Sequence, residues 1–222
     1  MYIISSHYSD ENKVITKLLE QDLFALQEQK NVVGNEMVTI QLYYESLCPD
    51  SIQFITKVFK PVVEKLAQYL NIQTYPYGNA RTFNHNGHYV FQCQHGPEEC
   101  YGNKLHACAI YSLRNMTRAV LFNSCMMEPR QGRHGSDDDA ADACGNAQNV
   151  DVSLIKECAK GNKGDLLLKY YGDESTKAHF NSVPYILLNG EINDGNNFMR
   201  DVCAAFTNTP PPCQEISMEE NQ

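Results

Sequence analysis

The chain has 222 residues, of which 42% are hydrophobic, and its formal net charge is −9. This composition is sufficient to bury the core of one domain that carries an insertion or an appendage. The acidic charge argues against nucleic acid or an anionic membrane as the main partner. No apolar run approaches the roughly 18 residues that a membrane-spanning helix needs.

The first recognisable pattern is an amphipathic helix over about residues 10–30, within an N-terminal extension that we place at residues 1–36. Apolar residues recur there at helical spacing. They are Ile15, Leu18, Leu19, Leu23 and Leu26. This stripe can pack on the rest of the domain or on a partner, and we favour packing on the domain.

The next elements form a strand, a helix and a second strand. The apolar run Val38–Tyr44 predicts the first core strand. After Pro49, which suits the first helical position, apolar residues recur at the spacing of a long helix with one buried stripe. Pro61 lies inside this helix and predicts a kink, because it cannot donate a backbone hydrogen bond. Ile72–Tyr77 predicts the second strand.

The junction between the first strand and the helix reads Cys48-Pro49-Asp50-Ser51. A cysteine that a strand delivers to the first turn of a helix is typical of thiol–disulfide exchange. In Cys-x-x-Cys motifs the first thiol attacks a substrate disulfide and the second releases the mixed disulfide. Ser51 occupies the second position, where its hydroxyl can hydrogen-bond the thiolate of Cys48 but cannot perform the release. Cys48 alone therefore needs an external thiol, such as glutathione or free cysteine, to complete a reduction.

Residues 78–180 are interpreted as an insertion rather than a second compact domain. They contain six cysteines and helical patterns near Leu105–Leu121 and Val152–Lys160. Gly132–Gly145, which includes Asp137–Asp139, predicts an exposed acidic loop. Its carboxylates could bind a cation, but we favour a solvated loop because calcium loops need a more regular ligand pattern.

Regular structure returns after the insertion. Ser182–Leu188 predicts a strand, and Asn189-Gly190 is a strong signal for the turn of a hairpin. A helix is predicted over Phe198–Phe206, and the proline-rich Thr209–Cys213 is expected to end it.

The order strand, helix, strand, insertion, strand hairpin, helix predicts an α/β, thioredoxin-like fold over residues 37–213. In such folds a cis-proline loop packs beside the active cysteine, so Pro184 is the third candidate site residue. The backbone of Val183 would then pair with an extended substrate. A trans proline at a strand edge is the alternative. Residues 214–222 are interpreted as an acidic C-terminal tail.

Nine cysteines point to an oxidising compartment. If the other eight cysteines form four disulfides, Cys48 remains a free thiol. The sequence does not determine how the eight pair. The alternative is that Cys48 itself forms a disulfide. The eight are Cys93, Cys100, Cys108, Cys125, Cys144, Cys158, Cys203 and Cys213.

Asn115 begins a glycosylation sequon, in agreement with secretion. Met1–Ile4 is too short for the apolar region of a signal peptide, so we expect a secretory signal to have been removed or never included.

The densest cluster of reactive side chains is Cys93–Cys108, with three cysteines and two histidines. These residue types could bind zinc, but their spacing matches no closed tetrahedral framework. A disulfide-stapled loop is the favoured interpretation. The sequence therefore predicts neither a metal site nor a cofactor.

The same cluster carries a family resemblance. Its residues reproduce the pattern C-Q-H-G-x-x-E-C-x-x-N-x-x-x-x-C, from Cys93 through His95, Glu99 and Asn103 to Cys108. This pattern has eight fixed positions and resembles the signature of the gamma-interferon-inducible lysosomal thiol reductase family. The resemblance extends over roughly Val38 to Cys213, and the many cysteines suggest an invertebrate member of the insect type.

The resemblance implies a thioredoxin-like domain that reduces protein disulfides at acidic pH in endosomes or lysosomes, or after secretion. The catalytic cysteine pair of the family corresponds to Cys48 and Ser51, of which only the first is present. Two functions follow. One is a weak, single-cysteine oxidoreductase helped by a small thiol. The other is a secreted, immune-modulating binding protein that retains the scaffold and engages a protein or a cell surface.

Overall fold

The computed structural model describes residues 37–129 and 135–219. The predicted helix of residues 10–30 lies outside this part of the chain. The strands are β1 Val38–Tyr44, β2 Leu70–Pro76, β3 Arg81–His85, β4 His88–Gln92, β5 Tyr185–Leu188 and β6 Glu191–Asn193. The helices after the first are α2 Pro97–Leu113, α3 Met116–Met127, α4 Asp138–Gln148, α5 Ser153–Lys160, α6 Asn162–Ala178, α7 Phe198–Ala204 and α8 Pro211–Glu219.

The first helix, α1, connects β1 to β2 in three consecutive segments. Pro49–Gln53 is α-helical, Phe54–Phe59 forms a π-helical turn, and Lys60–Leu66 is α-helical again. A short 3₁₀ turn then leads into β2. The kink at Pro61 stays a prediction, and a π-helical segment lies directly before the α-helical segment that contains this proline. Such widened turns are a recognised way for a helix to accommodate a break in its hydrogen-bond ladder.

A four-stranded sheet in the order β2-β1-β5-β6 forms the centre of the domain. β1 and β2 run parallel, with Val38 beside Leu70, as expected for strands joined by a helical crossover. β5 lies antiparallel on the other side of β1, and β6 pairs with β5 across the Asn189-Gly190 turn. Both turn residues have positive φ, which is the backbone that tight hairpins require. This topology is the predicted thioredoxin-like α/β fold.

The sheet separates two hydrophobic cores because successive side chains of β1 point to opposite faces. Ile40, Leu42 and Tyr44 pack on one side with α1 and α7. Tyr43 points to the other side, where it stacks on Tyr75 at a centroid distance of 4.3 Å among residues of the insertion. The insertion is therefore part of the main fold and covers one face of its sheet.

Four disulfides staple the helices. They are Cys93–Cys100, Cys108–Cys158, Cys125–Cys144 and Cys203–Cys213. Cys108–Cys158 joins α2 to α5, and Cys125–Cys144 joins α3 to α4. Cys48 is the free cysteine among the described residues. In the part of the chain that the structure describes, no helix is long and apolar enough to span a bilayer.

Two predictions in the insertion were wrong in their boundaries or their type. The helical pattern near Leu105–Leu121 is divided between α2 and α3, because Arg114 adopts left-handed backbone and Asn115 caps the next helix. Of the acidic loop predicted at Gly132–Gly145, residues 132–134 lie outside the described part of the chain, and Asp138–Gly145 belong to helix α4. Asp137 accepts a hydrogen bond from the Ala140 N–H, so the aspartates start this helix instead of forming a solvated loop.

A further difference concerns the end of the chain. The prediction that the proline-rich Thr209–Cys213 ends the preceding helix is wrong, because α7 already ends at Ala204. Pro211 instead begins a new helix, α8. Proline is tolerated in the first turn of a helix, where its missing N–H has no intrahelical partner to lose. The predicted tail of residues 214–222 is thus helical as far as Glu219.

Candidate active site

Cys48 lies at the junction that the sequence indicated. A few residues after β1 it forms the N-cap of α1, and its carbonyl accepts the Ile52 N–H at 2.9 Å. Its side chain is buried, with 8% exposure. The structure therefore places a largely buried cysteine at the start of a helix.

The cis-proline loop approaches this thiol from the far end of the chain. The Val183–Pro184 peptide bond is cis. The Cys48 thiol donates to the Val183 carbonyl oxygen at a sulfur–oxygen distance of 3.7 Å. The fold thus brings Cys48 and the loop of Pro184 together, although they are far apart in sequence. A thiolate cannot donate, so ionisation of Cys48 gives up this hydrogen bond.

Ser51 lies within the first turn of α1 and is fully buried. Its hydroxyl oxygen accepts a hydrogen bond from the Glu45 N–H at 3.5 Å. The motif predicts a hydrogen bond from Ser51 to the thiolate of Cys48, whereas in the structure the hydroxyl helps to hold the end of β1. Its position is still the third residue after Cys48, where a resolving thiol would stand.

Residues of the cysteine-rich signature brace the loop that leads to Cys48. Asn103 accepts a hydrogen bond from the Ser46 N–H at 2.9 Å, and the Ser46 hydroxyl donates to the Glu99 carbonyl at 3.3 Å. Gly102 allows α2 to approach closely, since a Cβ there would lie 2.5 Å from the Ser46 hydroxyl oxygen. Sequence reasoning missed this bracing, because its partners are more than 50 positions apart and no local pattern links them.

Comparison with known proteins agrees with this geometry. Residues 39–148 match the family model described as gamma interferon inducible lysosomal thiol reductase (GILT). The chain is 30% identical over 201 residues to the gamma-interferon-inducible lysosomal thiol reductase-like protein of Anopheles gambiae, covering 82% of this chain and 83% of that protein. It is 33% identical over 195 residues to GILT-like protein 1 of Drosophila melanogaster, covering 79% and 77%. The chain belongs to the GILT family.

One solved structure adds a more distant likeness. The chain is similar to a thioredoxin-like oxidoreductase from Silicibacter pomeroyi DSS-3, with a TM-score of 0.48 and 10% identity. The similarity covers 85% of this chain and 89% of that one.

Two signature residues of this GILT chain, His95 and Glu99, meet Glu45, which follows β1. His95 Nδ1 lies 2.6 Å from an oxygen of Glu99 and 3.3 Å from an oxygen of Glu45. The pKa of Glu45 is raised to about 7. Burial is the main cause and the charge of Glu99 adds to it, whereas a hydrogen bond from the Asn79 N–H and the neighbouring His95 act in the opposite direction. Two buried carboxyl groups thus lie beside one partly exposed imidazole.

The second histidine of the Cys93–Cys108 cluster, His106, is a core residue. Its Nδ1 lies 2.9 Å from the Tyr44 hydroxyl and its Nε2 lies 2.7 Å from the Ser136 hydroxyl. Asn123 donates to the Tyr44 oxygen at 3.3 Å, so both ring nitrogens of His106 are satisfied when Tyr44 donates to Nδ1 and Nε2 donates to Ser136. Complete burial lowers the pKa of His106 to about 3.

The remaining predicted residues lie outside the active site. Cys93 and Cys100 pair with each other, and Cys108 pairs with Cys158, so none of these thiols is available as a zinc ligand. Asn115 is exposed and caps α3, with its side-chain oxygen accepting the Arg118 N–H at 2.9 Å. Asp138 accepts from Tyr101 and pairs with Lys160.

Proposed function

We propose that the chain is a single-cysteine thiol–disulfide oxidoreductase that acts on protein disulfides. The observation that carries this proposal is the free thiol of Cys48 at the start of α1, in contact with the cis-proline loop of a GILT-family fold. All eight other cysteines are engaged in disulfides. Cys48 is thus the group that can attack a substrate.

The first step forms a mixed disulfide. The Cys48 thiolate attacks one sulfur of the substrate disulfide, a Cys48–substrate S–S bond forms, and the substrate S–S bond breaks. The second substrate sulfur leaves as a thiolate and takes a proton from solvent. Val183 offers its backbone beside Cys48, so an extended substrate segment can align along this loop.

The second step needs a small thiol because Ser51 has no sulfur. A cysteine or glutathione thiolate attacks the mixed disulfide, releases the fully reduced substrate and leaves a Cys48–small-thiol disulfide. A second small thiol regenerates Cys48 and becomes oxidised to the small-molecule disulfide. One substrate disulfide is thus reduced for two small thiols oxidised, and the slow bimolecular steps make the activity weak.

The setting of this chemistry is an oxidising compartment, a proposal that the four disulfides support. We propose secretion or residence in endosomes and lysosomes, with glycosylation at exposed Asn115. The substrate is a disulfide-containing protein.

A specific observation also favours a second function. The replacement of the resolving cysteine by Ser51, on a scaffold that is otherwise intact, fits a secreted protein whose reductase activity is lost. Such a protein would bind a protein or a cell-surface partner and modulate an immune response.

The two functions differ in a disulfide-reduction assay at pH about 4.5 and 7, on a denatured disulfide-linked substrate. The wild-type chain is expected to reduce the substrate only with excess cysteine, because the small thiol supplies the missing second sulfur. Cys48→Ser is expected to lower the rate to that of cysteine alone. Full activity in Cys48→Ser would contradict the proposal, and equal rates with and without wild-type chain would favour the binding protein.

A further inference from the structure

Three side chains from two separate parts of the chain converge beside the loop that carries Cys48. They are Glu45, after β1, and His95 and Glu99, around the start of α2. One carboxylate oxygen from each glutamate and a ring nitrogen of His95 all lie within 4.8 Å of one another. Both glutamate side chains are fully buried, whereas His95 is 33% exposed.

Backbone amides fix the orientation of both carboxylates. The Asn79 N–H donates to Oε1 of Glu45 at 2.6 Å, and the His95 N–H donates to Oε1 of Glu99 at 3.0 Å. The second oxygen of each carboxylate is thereby directed at Nδ1 of His95, at 3.3 Å for Glu45 and 2.6 Å for Glu99. This arrangement, in which each ligand atom is aimed by a hydrogen bond to its other oxygen, is characteristic of metal ligands.

One of these oxygens is poorly satisfied for a buried carboxylate. Within the described residues, Oε2 of Glu45 is inaccessible to solvent and accepts no well-formed hydrogen bond. Its neighbour at 3.3 Å, Nδ1 of His95, lies closer to Glu99, at 2.6 Å. A buried polar atom without a partner is costly, and two adjacent carboxylates increase the cost by mutual repulsion. A cation placed between the carboxylates and the imidazole would satisfy this oxygen and offset both negative charges.

We propose that Glu45, His95 and Glu99 form a binding site for a single zinc ion. Ligand atoms at about 2.0–2.2 Å from a tetrahedral zinc lie about 3.3–3.6 Å apart. The separation of Nδ1 from the Glu45 oxygen, 3.3 Å, already has this value. The separation of Nδ1 from the Glu99 oxygen, 2.6 Å, must increase to the same value. This increase is expected when the metal replaces the proton that the two atoms share.

The ligand chemistry and the access route both suit zinc. Two carboxylates and a neutral imidazole balance the double charge of the ion, and this set of nitrogen and oxygen donors is one that zinc accepts. The exposed side of His95 leaves an entry path and room for a water as the fourth ligand. The ion would clamp α2 to the end of β1, without using Cys48 and independently of the proposed reductase activity.

Calorimetric titration of zinc into the full chain tests this site. The chain is prepared without a histidine tag, stripped with a chelator, and carries Cys48→Ser so that the free thiol cannot bind metal. We expect one zinc per chain at pH 7. His95→Ala and Glu45→Gln are each expected to weaken binding by at least about 10- to 100-fold, as loss of even outer-shell partners does.

His85→Ala is the matched control, since His85 is an exposed histidine on the β3–β4 hairpin. X-ray absorption of the zinc-loaded chain should show nitrogen and oxygen ligands without sulfur. Because His95 is partly exposed, His95→Ala is expected to fold even if Glu45→Gln does not. The proposal is overturned by absence of stoichiometric binding, by unchanged affinity in His95→Ala, or by equal weakening in His85→Ala.

Discussion

Ser51→Cys is expected to let the chain release a fully reduced substrate in a single turnover without added thiol. The new thiol would stand three residues after Cys48 in the first turn of α1, the position of the resolving sulfur in a Cys-x-x-Cys pair. It would attack the Cys48 sulfur of the mixed disulfide, form an intramolecular disulfide with Cys48 and expel the substrate as a dithiol. The wild-type chain should stop at the mixed disulfide.

In the measurement, prereduced chain reacts with one equivalent of substrate and the reaction is quenched. Mass spectrometry then distinguishes released substrate from substrate that is still bound to the chain. Ser51→Ala is the matched control, because it removes the hydroxyl without adding a thiol and should behave as wild type. Replacing the Ser51 hydroxyl also weakens its hydrogen bond from the Glu45 N–H, which costs about 1 kcal/mol of stability. Equal release of substrate by wild type and Ser51→Cys would refute the role assigned to this position.

His106→Gln is expected to change the pH dependence of folding stability strongly. In the native state burial keeps His106 neutral down to a pKa of about 3, whereas the unfolded side chain binds a proton near pH 6.5. Between these values the unfolded state binds more protons, so stability falls as the pH falls. At pH 4.5 this loss amounts to about 2–3 kcal/mol.

Glu45 acts in the opposite direction. Its native pKa, about 7, is raised above the usual 4.5, so the native state binds more protons in that range and stability is lost as the pH rises from 4.5 to 7. The difference between His106→Gln and wild type isolates the histidine from this contribution.

Urea unfolding at pH 7, 5.5 and 4.5 provides the measurement. At pH 7 His106→Gln should be less stable by about 1–3 kcal/mol, because the hydrogen bonds to Tyr44 and Ser136 are disturbed. This deficit should shrink steadily toward pH 4.5. His85→Gln, on the exposed hairpin, should show no such trend. A deficit that is constant with pH would mean that His106 takes up its proton at the same pH in the native state as in the unfolded state, which contradicts the lowered pKa.

The parts of the fold that could be predicted from sequence are those that local chemistry determines. Proline after Cys48 indicates a helix start, and Asn189-Gly190 indicates a hairpin. Because the number of cysteines is odd, one of them stays outside the disulfides, and Cys48 is the candidate. The order of these elements then suffices for the thioredoxin-like topology. The same reasoning identifies the candidate residues Cys48, Ser51 and Pro184.

The parts that could not be predicted depend on tertiary contacts. The aspartates from Asp137 resemble a solvated loop in sequence, yet the same carboxyl groups cap a helix once α4 packs on α3 through Cys125–Cys144. The meeting of Glu45 with His95 is fixed by the packing of α2 against the end of β1, for which the sequence carries no local signal. Disulfide connectivity likewise follows from the packing of the helices.

The central claim, that Cys48 acts alone, is tested most directly by intact-mass analysis of the wild-type chain after incubation with a disulfide-linked peptide. A covalent adduct of one peptide thiol at Cys48 should form, persist without added thiol, and disappear when cysteine is added. Absence of any adduct at Cys48, under conditions in which Ser51→Cys reduces the same peptide, would contradict it.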